Sequence, residues 1–291
     1  MKKIVTHDSR FHTDDVFAVA TLLLLLGEAE VVRSRDPEIA ATADYLVDTG
    51  MKDDPSLRQF DHHQPGGAGE RSNGIPYASF GLVWKAYGKE LAGGEREAEL
   101  IDRKLVQPID AQDNGVSIAE YKFQDVRDYT IGDFLYSFIE SREQNHLNTV
   151  FTKMVSIAKD LLTREISLAK KDIINEDKIL TLYNDTEDKR IVILSEELIN
   201  WKEVLGKTEE VIYAIHPRPD GHWSLGCVPD MSKPYGVNRK SLPSEWASKR
   251  DEELQKITGV EDALFAHGKR FMASAKTKEG AIKLAKLALN A

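Results

Sequence analysis

The chain has 291 residues, long enough for two domains or one large one. Apolar residues make up 41% and charged residues 30%, an ordinary globular balance. Its 48 acidic against 39 basic side chains leave a formal charge of -9, which excludes a protein that coats nucleic acid by global positive charge but leaves room for a local basic channel.

In chain order, Lys3-Ile4-Val5-Thr6 is a short β-prone run, followed by a polar loop from His7 to Asp15. The apolar run Val16 to Leu26 is shorter than the ~20 residues a bilayer requires. Acidic residues precede it and no small-x-small cleavage site follows, so it reads as a buried helix against a sheet rather than a leader or span. With one cysteine, Cys227, no intrachain disulfide can form. The expected compartment is the cytoplasm, with no membrane partner.

A second β-prone run, Glu30 to Arg33, a helix at Glu38–Ala43 and a third strand from Tyr45 into a turn at Gly50 complete a strand–helix–strand alternation. Such alternation predicts βαβ units and a parallel sheet. Ligands of these sheets gather beyond the carboxyl ends of the strands, where His7 and Asp48 stand. Gln59-Phe60 leads into Asp61-His62-His63-Gln64, and Pro65 to Gly69 is a glycine-rich loop without the Lys-Ser/Thr ending of a phosphate-binding loop. Helices are expected over Tyr77–Leu91 and Glu95–Gln112, the second kinked or restarted at Pro108.

From Arg142 to Asp177 the pattern is helical and poor in Gly and Pro, with Val150, Met154, Ile157, Leu161 and Leu162 as an apolar stripe. Strand-like runs recur at Ile179–Leu182, Arg190–Leu194, Val211–Ile215, Trp223–Val228 and Leu264–Ala266, before an amphipathic helix at Thr277–Leu289. The expected organisation is a metal-binding catalytic domain at 1–141, a helical connector at 142–178 and a smaller mixed α/β substrate-binding domain at 179–291.

Four features carry chemistry. His7-x4-His12-x-Asp14, with Asp15 adjacent, offers the imidazole and carboxylate ligands of Zn, Mn or Fe, although polar loop residues would read the same way. Asp48 follows an apolar strand, where a turn-forming Asp is an equal reading. Asp61-His62-His63 is unusual in a chain with 8 histidines. A ligating imidazole needs an acceptor for its other nitrogen, and a second histidine can instead donate to an anion. Ile109-Asp110-Ala111-Gln112-Asp113-Asn114-Gly115 reads as a helix end, with Asp110 and Asp113 on one face. Carboxylates at a helix C-terminus oppose the dipole by about 0.3–1 kcal/mol each, an objection a cation would remove. Together these residues support a two-metal site that activates water and clamps a phosphoryl group.

The same residues resemble the DHH phosphoesterase superfamily, and within it the melanocyte-proliferating-gene family of predicted metal-dependent hydrolases. Thr6 to Ala18 is similar to its opening signature, and Phe60-Asp61-His62-His63-Gln64 and Ile109 to Gly115 to its next two. Ser241-Leu242-Pro243-Ser244-Glu245-Trp246 and Phe265-Ala266-His267 resemble late segments, so the resemblance covers nearly the whole chain. It implies one ion on His7, His12 and Asp48, and a second on Asp14, Asp48, His62 and Asp110, with Asp48 bridging. Manganese is the expected ion, with zinc or magnesium as alternatives. Asp61 would orient a histidine and His63 would contact the scissile phosphate, with Asp15 and Asp113 supporting the ligands. His267, Arg270 and His216 are the expected anion-binding residues. Lys269-Arg270 depart from the small, glycine-containing segment that the family tends to have there.

The implied activity is hydrolysis of phosphodiesters in short or single-stranded RNA or DNA. Its rivals are a small-molecule phosphatase or pyrophosphatase and a metal-binding protein without turnover. A homo-oligomer is compatible with all three.

Overall fold

Two units divide the computed structural model, Met1–Lys170 and Lys171–Ala291. It describes residues 1–233 and 236–291. In the first unit β1 (Lys2–Thr6) leads to α1 (Thr13–Leu26), β2 (Ala29–Arg33), the short α2 (Pro37–Ala40) and β3 (Tyr45–Val47). Two-residue strands follow, β4 (Asp53–Asp54) and β5 (Gln59–Phe60), then α3 (Ser79–Ala92), α4 (Glu95–Ile101), α5 (Gln107–Asp113) and α6 (Ile131–Tyr136). The sheet order is β2-β1-β3-β5-β4, parallel except for the edge pair β4–β5. The order turns back on itself between β1 and β3, the kind of crevice where open α/β sheets bind ligands.

Helix α1 is buried over Thr13–Leu22 because it packs on both sides, against the sheet and against other helices. Phe11, Phe17, Phe60, Phe80, Phe151 and Met154 share that core. The expected break near Pro108 lies upstream of the proline. Asp102–Val106 forms a π-helical turn, in which the Gln107 N–H reaches the Asp102 carbonyl. Pro108 has no N–H to give and its ring collides with the carbonyl four residues back, so widening the preceding turn relieves both problems.

Helix α7 (Gln144–Asp185) runs through the division between the units. Its early part brings Val150, Met154 and Leu162 into the first core. The strand expected at Ile179–Leu182 is helical instead. Nothing in the preceding residues stops the helix, and Ile179 is fully buried against Val192, Leu194 and Trp201. A short apolar run flanked by no turn residue suits a buried helix as well as a strand, and here tertiary packing decides.

The second unit continues with β6 (Ile191–Ile193), α8 (Trp201–Gly206), β7 (Tyr213–Pro217), β8 (Trp223–Cys227), α9 (Asp251–Thr258), β9 (Ala263–Ala266), β10 (Met272–Ala275) and α10 (Lys278–Asn290). The sheet order is β6-β7-β8-β10-β9, antiparallel except for β6–β7. One face packs Tyr213, Ile215, Leu225, Ala273 and α10; the other packs Ala214 and Trp201. Strand β10 and helix α9 lie outside the elements expected from sequence. Among the described residues no helix is long and apolar enough to cross a membrane.

Candidate metal centre

The site begins with strand register. Thr6 pairs with Val47, and Val47 with Phe60, so three neighbouring parallel strands end side by side. The next residues are His7, Asp48 and Asp61-His62-His63, delivered together to one sheet edge. Asp48 donates its N–H to the Phe60 carbonyl (3.0 Å). It holds φ 52, a left-handed conformation that Asp tolerates and that marks functional positions when the fold enforces it. Asp14 and Asp15 join from the first turn of α1, where the helix dipole favours carboxylates.

Three groups of nitrogen and carboxylate oxygen atoms lie within 4.8 Å of one another: His7, His12 and Asp48; Asp48, His62 and His63; and His12, Asp14 and Asp113. Asp48 is common to the first two. The His62 Nε2 stands 3.4 Å from Asp48 Oδ1, 3.2 Å from Asp113 Oδ2 and 3.9 Å from Asp14 Oδ2. Small-ligand sites enclose about 300–1,000 Å³. A cavity of 530 Å³ opens here on His12, His62, His63, Asp113 and Tyr136.

A cation fits this donor set. The His7 Nδ1 sits 2.7 Å from the Asp8 carbonyl, which can only accept, and 3.2 Å from an Arg35 guanidinium nitrogen, which can only donate; the shorter contact favours the proton of the neutral ring on Nδ1. Its Nε2 lone pair then faces two acceptors, Asp15 Oδ2 at 3.1 Å and Asp48 Oδ2 at 3.2 Å. Neither contact has hydrogen-bond geometry, and His7 Nε2, His62 Nε2, Asp14 Oδ1, Asp15 Oδ2 and Asp48 Oδ2 are all buried without a hydrogen-bond partner among the described residues. Acceptors converging on acceptors need a positive charge between them.

Without a cation, protons supply that charge. Burial disfavours the charged form of His7, but Asp15 and Asp48 outweigh it and raise its pKa to about 10. At His62 burial is likewise outweighed, by Asp113 and Asp48, again to about 10. Burial and the charges of Asp48, Asp113 and Asp15 push Asp14 well above the usual carboxylate range. Burial opposes ionisation of Asp48 too, but the close imidazoles of His62, His63 and His7 hold it well below that range.

Asp61 stands behind the cluster. Its Oδ2 accepts the Met51 N–H (2.6 Å), and its Oδ1 accepts the His63 N–H (3.0 Å) and faces His63 Nδ1 at 2.8 Å. The His63 ring is therefore fixed through Nδ1, with half its side chain exposed. The Asp48 carboxylate 3.3 Å from Nδ1 raises its pKa, burial works against this, and Asp61 adds to the rise.

Asp110 departs from the expected ligand set. Its Oδ2 is 2.9 Å from an Arg71 guanidinium nitrogen, and its Oδ1 accepts the Gly81 N–H at 3.0 Å. The cause is the start of α3. Ala78 offers no capping side chain, so the orphan N–H groups of the first turn turn to distant carboxylates, Ser79 to Asp14 and Gly81 to Asp110. Asp113, expected in support, faces His62 instead, and Asp15 lies against His7. Sequence reasoning missed Ser79, whose hydroxyl donates to Asp48 Oδ1 (3.0 Å), and Arg71. A serine opening an apolar helix is too ordinary to stand out.

His216, His267 and Arg270 belong to the second unit and to none of the three groups. His216 lies on β7 against Trp201, and His267 and Arg270 frame the turn from β9 to β10.

A model of a family described as "Uncharacterised protein family (UPF0160)" matches residues 3–289. The chain belongs to this family. It is 28% identical to the human protein named MYG1 exonuclease, over 99% of this chain and 85% of the relative. Identity is 27% with the Dictyostelium discoideum MYG1 protein (99% and 96%) and 29% with a Schizosaccharomyces pombe MYG1 protein (99% and 97%). Among solved structures, RecJ of Thermus thermophilus in complex with Mn2+ is similar with a TM-score of 0.32 and 15% identity. The whole chain aligns there but spans only 52% of that RecJ.

Proposed function

We propose that this family member is a metal-dependent hydrolase of nuclease type, cleaving phosphodiesters in short or single-stranded nucleic acid. The observation that carries the reading is the imidazole lone pair of His7 facing the carboxylates of Asp15 and Asp48, all buried. The name exonuclease borne by the human relative supports the choice of substrate. His7, His12 and Asp48 would hold one divalent cation, and Asp48, His62, Asp14 and Asp113 a second, with manganese the favoured ion. Such ions supply Lewis acidity that lowers the pKa of water and neutralises charge on a transferring phosphoryl group.

The chain's own residues do the rest. Asp61 locks His63 through Nδ1 and leaves Nε2 to meet the substrate. With its pKa raised, His63 at neutral pH can hold a proton on Nε2, donate a hydrogen bond to an anionic phosphate and pass the proton to a departing oxygen. Ser79 fixes one oxygen of Asp48 and leaves the other directed at His7.

The test is metal content and hydrolysis in Asp48→Asn and His62→Ala, with manganese, zinc and magnesium compared. Both variants are expected to lose bound metal and activity on a single-stranded oligonucleotide. Full retention of either property would refute the site. Pyrophosphate and a nucleoside monophosphate are the comparison substrates, since the net charge of -9 suits a small-molecule phosphatase. Preference for either over the oligonucleotide would replace the nuclease reading.

A further inference from the structure

The second unit carries a run of alternating rings and cations. The His216 and Trp201 ring centroids are 5.6 Å apart. The Lys202 ammonium lies 5.5 Å from the Trp201 ring and 5.4 Å from the Phe271 ring. Phe271 and His267 are 4.3 Å apart, His267 and Phe265 6.1 Å, and the Arg250 guanidinium caps Phe265 at 4.7 Å. Trp201 is buried, whereas Phe265, His267 and Phe271 are half-buried and Lys202, Arg250 and Lys269 exposed.

The sheet supplies a floor between the ends of this run. Cross-strand pairing sets His216 beside Ser224, Ser224 beside Ser274 and Ser274 beside Phe265, so these four share one face. The turn from β9 adds two further cations. His267 Nδ1 accepts the Lys269 N–H (3.0 Å), which leaves its Nε2–H as a donor. Arg270 holds φ 59, strained for a residue with a side chain. Among the described residues, none of Lys202, Arg250, Lys269 and Arg270 has a carboxylate within ion-pair distance. These four cations stand beside half-open rings and, among the described residues, outside ion-pair distance of a carboxylate, with Glu203 next to Lys202 and Asp251-Glu252-Glu253 next to Arg250 in sequence.

We infer that this face binds single-stranded nucleic acid, with bases stacked on Phe265, His267 and Phe271 and phosphates met by Lys202, Arg250, Lys269 and Arg270. The inference rests on the proposed nucleic-acid substrate and says how the strand is gripped. Every base has a π-face, so stacking is tolerant of sequence. A duplex hides those faces, and inorganic pyrophosphate or an acidic peptide uses the cations without needing the rings.

The experiment is fluorescence anisotropy on the full chain with metal chelated, using a labelled thymidine strand of about six nucleotides. The comparison probes are an abasic strand of equal phosphate count, the matching duplex and a polyglutamate competitor. The thymidine strand is expected to bind more tightly than the other three. Phe271→Ala and Phe265→Ala should each weaken it by about 5- to 150-fold. Lys202→Gln and Arg250→Gln, both exposed and safe for folding, should each lower the salt slope by about 0.7. Equal binding of the abasic strand, equal competition by polyglutamate, or an affinity and salt slope untouched by these substitutions would overturn the inference. Hydrolysis is read separately with manganese. Ring-dependent binding without cleavage sinks the nuclease reading alone; cleavage with ring-independent binding sinks the stacking platform alone.

Discussion

Replacing Gly81 with alanine adds one methyl group where α3 meets the carboxylate of Asp110. In an ordinary helix interior the exchange stabilises by roughly 0.8–1.0 kcal/mol. Here a Cβ would run into Asp110, 2.8 Å from its Cγ and overlapping Oδ2, and would lie 2.9 Å from an Arg71 guanidinium nitrogen. Asp110 is fully buried and Arg71 also holds Asp102, so neither moves freely. Overpacking costs about 1–3 kcal/mol. Losing the charged hydrogen bond from the Gly81 N–H adds about 1.5–3 kcal/mol. Set against the helix gain, the net destabilisation is about 1.5–5 kcal/mol. Urea unfolding measures it as a fall in midpoint at constant slope. The double variant Gly81→Ala/Asp110→Ala removes the overlap, so its cost should fall short of the sum of the single variants. Displacing Asp110 also shifts Asp113 on the same short helix, and manganese affinity should drop. A midpoint at or above that of the parent chain, or simple additivity, would refute the overlap argument.

In the metal-free protein His7 and His62 both have pKa values raised from 6.5 to about 10. Their stabilisation is fully present below pH 6.5 and lost as the pH rises through about 10, so thermal stability of the metal-free chain should decline across that window. Manganese displaces those protons. Its apparent affinity should therefore rise with pH over the same range, with proton release visible by calorimetry in buffers of different ionisation enthalpy; a pH-independent affinity contradicts the assignment. His63→Gln should lower kcat by about 10²–10⁴-fold while bound manganese stays level, and loss of the metal instead would make His63 a ligand. Residues 116–129 have no helix or strand and expose Ile118, Tyr121, Phe123, Val126 and Tyr129. Arg127 there is forked onto Asp133, so brief trypsin treatment should cut first after Lys122.

What the sequence made legible followed from short-range regularities. Alternating strands and helices placed His7 and Asp48 at strand ends, and the register of a two-residue strand not read from sequence, β5, then brought Asp61 beside them. Asp110 and Asp113 were different. Both sit on one short helix, and only the uncapped start of α3 decides that Asp110 serves Gly81 and Arg71 while Asp113 serves His62. That competition is tertiary and leaves no local pattern. The helix through Ile179–Leu182 shows the same limit, because a four-residue run with three apolar members carries no period of its own. The cation–aromatic run of the second unit was visible only as scattered members, since Trp201 and Lys202 open α8, Arg250 precedes α9 and Phe265 lies on β9.

The π-helical turn at Asp102–Val106 has a further consequence. Each residue of a regular helix advances its successors by about 100° around the axis. The wide turn absorbs one surplus residue, so everything after it, including Asp110 and Asp113, keeps nearly the phase a regular helix one residue shorter would give. Deleting a single position among 102–106 would therefore remove the bulge and leave both carboxylates close to their present direction, whereas regular winding of all the residues present would swing them about a quarter-turn. That segment can lose a residue more easily than it can lose its wide turn.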